Sequence, residues 1–100
     1  MMKTKKQAKR YEVKGSFIVR NDRGLHTRPS TEIVKCAASF KSNVRLIYQR
    51  TEVNAKSLLG ILMLAATKGA KIHIIAEGDD AEEAVVNLIE LAENNFNIRY

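Results

Sequence analysis

The sequence predicts an α+β fold, a two-layer open-faced sandwich in which a four-stranded antiparallel sheet carries three helices on one face. Apolar residues alternate in four short segments and recur at helical spacing in three others. The order of these segments is strand, helix, strand, strand, helix, strand, helix (βαββαβα). This order favours an antiparallel sheet with its helices on one side. A chain of 100 residues suits a single domain.

Alternating apolar residues bounded by turn residues predict the strands. The first strand has Phe17 and Val19 on one face, and the last has Ile72 and Ile74 on one face with His73 on the solvent side. The turn between the second and third strands has no Asn-Gly or Asp-Gly pair, which leaves the hairpin register open. The predicted strands are residues 16–20, 44–48, 51–54 and 71–76.

Helical spacing and capping residues predict the helices. Ser57 is a preferred N-cap for the second helix, and Gly69 follows its end. This helix is nearly all apolar and short, so part of its apolar surface is expected to be exposed. Asp80 with Glu83 resembles a capping box before the third helix. The predicted helices are residues 30–40, 58–67 and 81–92.

Composition limits the class of protein. With 45% hydrophobic and 28% charged residues, the chain is expected to be globular. Cys36 is the only cysteine, which predicts a buried thiol and a reducing compartment. The N-terminus lacks the apolar core of a signal peptide, and no apolar run could span a bilayer. These features predict a cytoplasmic protein that does not insert into membranes.

The net charge of +6 is concentrated near the N-terminus. Residues 1–15 are therefore predicted to be a flexible basic extension, followed by a domain over residues 16–92 and an irregular tail over residues 93–100. A nucleic-acid-binding role is disfavoured, because the exposed sheet face would need stacking aromatic rings and offers only His73.

The segment Gly24-Leu25-His26-Thr27-Arg28-Pro29 carries the chemistry. The imidazole of His26 can accept a phosphoryl group near neutral pH, and Arg28 offers a planar fork of donors to phosphate oxygens. Gly24 can adopt positive φ, and Pro29 is preset for the first turn of a helix, whose N-terminus attracts anions. The alternative is that His26 is only a polar cap or a surface residue.

Two further segments accompany this loop at a defined spacing. One is Asn54-Ala55-Lys56-Ser57-Leu58-Leu59-Gly60-Ile61, and the other combines Lys68-Gly69-Ala70 with Ala76-Glu77-Gly78-Asp79. Together these segments resemble the HPr family, the histidine-containing phosphocarriers of the bacterial sugar phosphotransferase system. The resemblance covers residues 16–92.

The resemblance implies that His26 takes a phosphoryl group from phospho-enzyme I and passes it to the A domains of sugar-specific enzymes II. In the family the phosphorylated nitrogen is Nδ1. Arg28 would stabilise the phosphate, and Ser57 would be phosphorylated by an HPr kinase/phosphorylase. The protein would be a carrier and not an enzyme, monomeric, and without cofactor or metal. The residues assigned to the phosphate loop are Gly24, Thr27, Pro29 and Ser30.

Partner docking is predicted to use an apolar patch with a basic rim. Two positions depart from the family: Ser30 stands where alanine is usual and could donate to phosphate, and Glu32 places a negative charge where family members usually carry an apolar residue. The closest alternative is therefore a regulatory relative, either of a nitrogen-related phosphotransferase branch or a binding module acting through Ser57 and the second helix. The residues assigned to the patch are Thr31, Lys35, Lys56, Leu58, Leu59 and Leu62.

Overall fold

The computed structural model describes residues 12–98. Within that range the chain forms a four-stranded antiparallel sheet with three α-helices, which confirms the predicted fold class and element order. A single 3-10 turn follows the last helix. The strands are β1 Glu12–Ile18, β2 Asn43–Tyr48, β3 Thr51–Asn54 and β4 Lys71–Glu77; the helices are α1 Thr27–Ala38, α2 Leu58–Met63 and α3 Ala81–Glu93; the 3-10 turn is Asn95–Asn97.

The sheet has the strand order β1-β4-β2-β3, and each pair of neighbours is antiparallel. The strongest strand pattern of the sequence, β4, lies between β1 and β2, and its inward residues Ile72 and Ile74 are fully buried. Phe17 pairs with Ile72 across β1 and β4, and Leu46 pairs with Ile74 across β2 and β4. His73 is exposed, as predicted.

The first strand begins four residues earlier than the predicted Ser16, because Glu12 pairs with Glu77 of β4. Residues 12–15 of the predicted extension are therefore part of the sheet, while residues 1–11 lie outside the described range. Gly15 allows α3 to pack closely on this strand, since a Cβ there would lie 2.7 Å from Val85 Cγ1. Backbone pairing with β4 overrides the weak strand propensity of Glu12, Lys14 and Gly15.

The bounds of α1 and α2 also differ from the predictions. α1 begins at Thr27 and ends at Ala38, so His26 is its N-cap. α2 ends at Met63, four residues before the predicted end, because Ala65 adopts a left-handed conformation with φ +51°. This turn lets Leu64 and Ala66 enter the core.

The predicted capping box at α3 is wrong. Asp80 is the N-cap, but its side chain makes no capping hydrogen bond to its own helix. Its carboxylate instead accepts hydrogen bonds from the backbone N–H groups of Lys41 (2.8 Å) and Ser42 (2.9 Å) and from the Ser42 hydroxyl. These bonds lower the pKa of Asp80 and fasten the loop between α1 and β2 to the start of α3.

The C-terminal residues are also part of the core and not a loose tail. Asn95, Phe96 and Asn97 are left-handed, with φ of 52°, 56° and 59°. Phe96 is 1% exposed and meets Phe17 edge to face, with 6.0 Å between ring centroids. Ile98 is 6% exposed. The predicted tail therefore closes the end of the domain at least as far as residue 98.

Two smaller predictions concern Cys36 and the membrane. Cys36 is only half-buried, and this partial burial raises the pKa of its thiol. Across residues 12–98, no helix has the length and apolar character required to cross a bilayer.

Candidate functional site

His26 stands directly at the N-terminus of α1. Its backbone is extended (φ −79°, ψ −168°), its N–H donates to the Gly24 carbonyl oxygen at 2.9 Å, and its own carbonyl oxygen accepts from Ser30 N–H at 3.1 Å. The imidazole is half-buried and does not cap the helix through its side chain. The imidazole thus lies beside the helix end and makes no capping hydrogen bond to α1.

Gly24 places the loop against the segment that follows α2. Its φ is +68°, which confirms the predicted positive φ, and a Cβ here would overlap the Ala66 carbonyl oxygen and lie 2.9 Å from Thr67 Cα. The same Ala66 oxygen accepts a hydrogen bond from Leu25 N–H at 3.0 Å. The glycine is therefore required both for its backbone conformation and for this close approach.

Asn21 supports the loop in a way that the sequence analysis missed. It is 5% exposed, its Nδ2 donates to the Gly24 carbonyl oxygen at 2.5 Å, and its backbone oxygen accepts from Gly24 N–H at 3.0 Å. The available signal was an asparagine three residues before a glycine, a composition in which the side chain often bonds to the backbone of its own turn. Asn21 thereby fixes the entry into the His26 loop.

Ser30 also stabilises the loop by a hydrogen bond to its backbone. It is fully buried, and its hydroxyl donates to the Leu25 carbonyl oxygen at 3.1 Å. The hydroxyl hydrogen is therefore already used, and the side chain lies away from solvent, so the expectation that Ser30 donates to phosphate does not fit its position. Pro29 is buried beside it, whereas Thr27 is exposed.

The start of α1 offers two backbone donors to an anion. The first N–H groups of a helix have no partner within the helix. Pro29 has no N–H and Ser30 N–H donates to His26, which leaves the N–H groups of Thr27 and Arg28. The Arg28 side chain is exposed and has no ion pair with any residue between 12 and 98. Together with the helix dipole, these groups favour a phosphoryl group on the neighbouring imidazole.

Ser57 is the N-cap of α2, as predicted. It is half-buried, and its Oγ accepts a hydrogen bond from Gly60 N–H at 3.1 Å. Asn54 prepares this turn, because its Oδ1 accepts from Lys56 N–H at 2.8 Å. The hydroxyl is therefore at a helix start and partly accessible.

The surface of α2 carries an exposed apolar patch, formed by Leu58, Leu59 and Met63 with the half-buried Leu62 at its edge. Leu59 is 68% exposed, Met63 70% and Leu58 38%. Leu59 and Met63 are four residues apart and therefore lie on the same helix face. Met63 was missed by the sequence analysis, although that spacing was a usable signal.

The predicted basic rim of the patch is less available than expected. Lys35 forms an ion pair with Glu32 at 3.3 Å and lines the groove between α1 and α3. Lys56 is half-buried, and its Nζ donates to the Phe40 carbonyl oxygen at 2.8 Å. Thr31 is half-buried, with its hydroxyl bonded to the Thr27 carbonyl oxygen at 2.8 Å. Lys35 is nevertheless as exposed as Leu59, so only Lys56 and Thr31 are less open than the apolar residues.

Comparison with known proteins gives one consistent result. Residues 13–94 match a family model described as the PTS HPr component phosphorylation site. The phosphocarrier protein HPr of Xylella fastidiosa is 42% identical over 81 residues, which cover 81% of this chain and 91% of that protein. An HPr structure from Thermoanaerobacter tengcongensis superposes with a TM-score of 0.83 at 35% identity, covering 88% of this chain and 99% of the other. A structure of an HPr dimer from the same organism gives a TM-score of 0.69 at 40% identity, covering 78% and 90%.

Proposed function

This chain belongs to the HPr phosphocarrier family of the phosphotransferase system, and on that premise we propose that it relays a phosphoryl group from phospho-enzyme I to enzyme II A domains through His26. The observation that carries the proposal is the position of His26 as N-cap of α1, beside the N–H groups of Thr27 and Arg28. The protein is then a carrier that is itself modified, and not a catalyst of a separate reaction.

The transfer follows from ordinary nucleophilic chemistry. The unprotonated nitrogen of His26 attacks phosphorus, a nitrogen–phosphorus bond forms, and the bond between phosphorus and enzyme I breaks. The negative charge on the phosphoryl oxygens is met by the Arg28 guanidinium and by the two N–H groups at the helix start. The bond that holds the phosphoryl group to imidazole is labile, so the group can move on to an enzyme II A domain.

Intact-mass measurement after incubation with phosphoenolpyruvate and enzyme I tests this role. We expect the mass of one added phosphoryl group at neutral pH and its loss in acid, as for a phosphohistidine. His26→Ala should abolish the labelling. His73→Ala is the matched control, because His73 is an exposed histidine on the sheet and should leave the labelling unchanged. Labelling of His26→Ala at the normal rate would contradict the proposal.

For docking of enzyme I and of the enzyme II A domains we propose the apolar patch on α2, together with Thr31, Lys35 and Lys56. Such a contiguous exposed apolar surface is typical of a protein interaction site. Leu59→Asp should raise the KM for phosphorylation by enzyme I while the free energy of unfolding changes by no more than about 0.5 kcal/mol, as for most surface changes. Val86→Asp, at a 46% exposed position on α3, is the control. Equal KM values for both variants would exclude the patch.

We also propose that an HPr kinase/phosphorylase phosphorylates Ser57 and that the effect falls on docking. A phosphate adds about −1.5 to −2 charges at neutral pH and is favoured at a helix N-terminus. The helix should persist, while the charge at the edge of the apolar patch repels an acidic partner. Ser57→Asp should slow His26 labelling at low salt and recover at high salt, with Ser57→Ala as the uncharged control. Equal rates for wild type and both variants at low salt would leave Ser57 as a helix cap only.

A regulatory relative, including one of a nitrogen-related branch, is a second candidate because of Glu32. Its side chain is 27% exposed on α1, and Lys35 only partly offsets its charge. If the charge selects against enzyme I of the sugar branch, Glu32→Leu should raise the labelling rate with that enzyme, while Glu83→Leu on the exposed side of α3 should not. An unchanged rate for Glu32→Leu would remove this candidate.

The proposed role also leads to expectations for the cellular location and the oligomeric state of the protein. We expect a cytoplasmic protein, since phosphotransfer from phosphoenolpyruvate takes place there, and fractionation of cells that produce the chain tests this. We expect a monomer, although a related HPr has been described as a dimer. Light scattering over a range of concentrations distinguishes the two states.

A further inference from the structure

A cavity of about 600 Å³ lies between the turn that precedes the His26 loop and the C-terminal end of the domain. Its walls come from residues 20–23 on one side and from Ala92 and Asn95 on the other. Pockets of roughly 300–1,000 Å³ are typical of small-molecule sites. The phosphocarrier role described above makes no use of this cavity.

Two arginines give the cavity its charge. Arg20 and Arg23 are exposed, and neither has an ion pair with a residue of the range 12–98. Among the described residues of the lining, Asp22 is the one with a carboxylate. Lys68 binds it at 2.8 Å, and this hydrogen bond lowers the pKa of Asp22 and raises that of Lys68. Neither guanidinium is therefore bound to a carboxylate of residues 12–98, and their planar donor forks suit a phosphate group.

Asn21 belongs to the same wall, and beneath the surface it carries an acceptor atom. Its Nδ2 is bonded to the Gly24 carbonyl oxygen, but its Oδ1 is shut off from solvent and has no hydrogen-bond partner within the part of the chain that the structure describes. Buried polar atoms are rarely left unpaired, and such an atom pairs with an ordered water or with the donor of a bound ligand. A carbonyl-type oxygen can pair with a hydroxyl group, but not with a phosphate oxygen that has lost its proton.

The opposite wall of the cavity is formed in part by Asn95, whose backbone conformation is left-handed. Asn95 begins the run of three left-handed residues, a conformation that non-glycine residues adopt at a cost in energy. Phe96 anchors this run against Phe17 in the core. The position of Asn95 at the cavity is therefore set by core packing and is not that of a mobile end.

We propose that this cavity binds a small, free phosphate monoester that also carries a hydroxyl group. Arg20 and Arg23 hold the phosphate. The hydroxyl donates to Asn21 Oδ1, which is shut off from solvent in the structure, so the Asn21 side chain turns toward the cavity when the ligand binds. Because residues 20–23 lead directly into the His26 loop, such a ligand would also stabilise the entry to that loop. The site is distinct from the anion position at the start of α1, which uses Thr27 and Arg28.

The test is a titration of the ¹⁵N-labelled chain with glycerol 3-phosphate, followed by amide chemical shifts. We expect saturable shifts at Asn21, Arg23 and Asn95. The double variant Arg20→Gln/Arg23→Gln should weaken binding at least tenfold, whereas Lys14→Gln/Arg50→Gln, which removes two positive charges elsewhere on the surface, should change it less than twofold.

Three outcomes would overturn the proposal: no saturation, shifts confined to Thr27 and Arg28, or equal weakening by the two double variants. Ethyl phosphate tests the hydroxyl group separately, because it has the same charged group and no hydroxyl. It should bind several-fold more weakly than glycerol 3-phosphate. Equal affinity for the two esters would overturn the pairing with Asn21.

Discussion

Replacing Gly24 by alanine should destabilise the domain and displace His26, and the structure allows the two causes of the effect to be separated. The first cause is backbone strain at φ +68°. The second is the overlap between the new Cβ and the Ala66 carbonyl oxygen, which would break the hydrogen bond from Leu25 N–H. Gly69 is the matched control, since its φ is +92° but a Cβ there would meet nothing within 4 Å.

The magnitudes follow from these two causes. A left-handed alanine costs roughly 1–2 kcal/mol, and the loss of unfolded-state entropy on going from glycine to alanine offsets about 0.4–1 kcal/mol. Gly69→Ala should therefore cost about 1 kcal/mol. Gly24→Ala also loses a hydrogen bond whose buried partners remain, which adds about 1–3 kcal/mol, for a total of about 2–4 kcal/mol. At about 4–8 °C per kcal/mol for a domain of this size, the two variants should be readily resolved by their Tm.

Urea denaturation and the rate of His26 labelling by enzyme I are the assays. We expect Gly24→Ala to be the less stable variant and to be labelled more slowly, even at a temperature where it is fully folded. Gly69→Ala should be labelled at the wild-type rate. Equal destabilisation of Gly69→Ala and Gly24→Ala would contradict this expectation, because strain alone would then account for both.

Three further substitutions distinguish a residue of the proposed phosphate site from residues that stabilise the fold. Arg28→Ala should slow His26 labelling while the free energy of unfolding stays within about 0.5 kcal/mol, because the side chain is exposed and unpaired within residues 12–98; a normal rate in the folded variant would contradict its role. The pKa of Asp80 is lowered in the folded state, so its stabilising effect is present above the unfolded value of about 3.9 and is lost as pH falls through the lower folded value. The difference in free energy of unfolding between wild type and Asp80→Asn should therefore shrink as the pH falls from 6 to 2, as measured by denaturation. A constant difference would argue against a stabilising role for the hydrogen bonds from Lys41 and Ser42 to the Asp80 carboxylate. Phe96→Ala should cost about 3 kcal/mol by loss of core packing, measured by denaturation against the exposed Val86→Ala; similar stabilities would show that the C-terminal turn is not part of the core.

Features that depend only on neighbouring residues could be predicted from the sequence. Strand and helix periodicity predicted the order of elements, and the capping preference of serine predicted Ser57 at the start of α2. The positive φ of Gly24 was predicted from its place in a turn before His26. Each of these features follows from local backbone and side-chain preferences, which are present in the chain before any tertiary contact forms.

Other features depend on a partner that is distant in the sequence, and local patterns did not predict them. Glu12 joins β1 because it pairs with Glu77 of β4. The Asp80 carboxylate does not cap its own helix because the N–H groups of Lys41 and Ser42 come within its reach. The left-handed turn at Phe96 is tolerated because the ring gains a place in the core beside Phe17. In each case the energy of a contact across the fold exceeds a local preference of roughly 1 kcal/mol, and such contacts leave no mark in the sequence near the residue concerned.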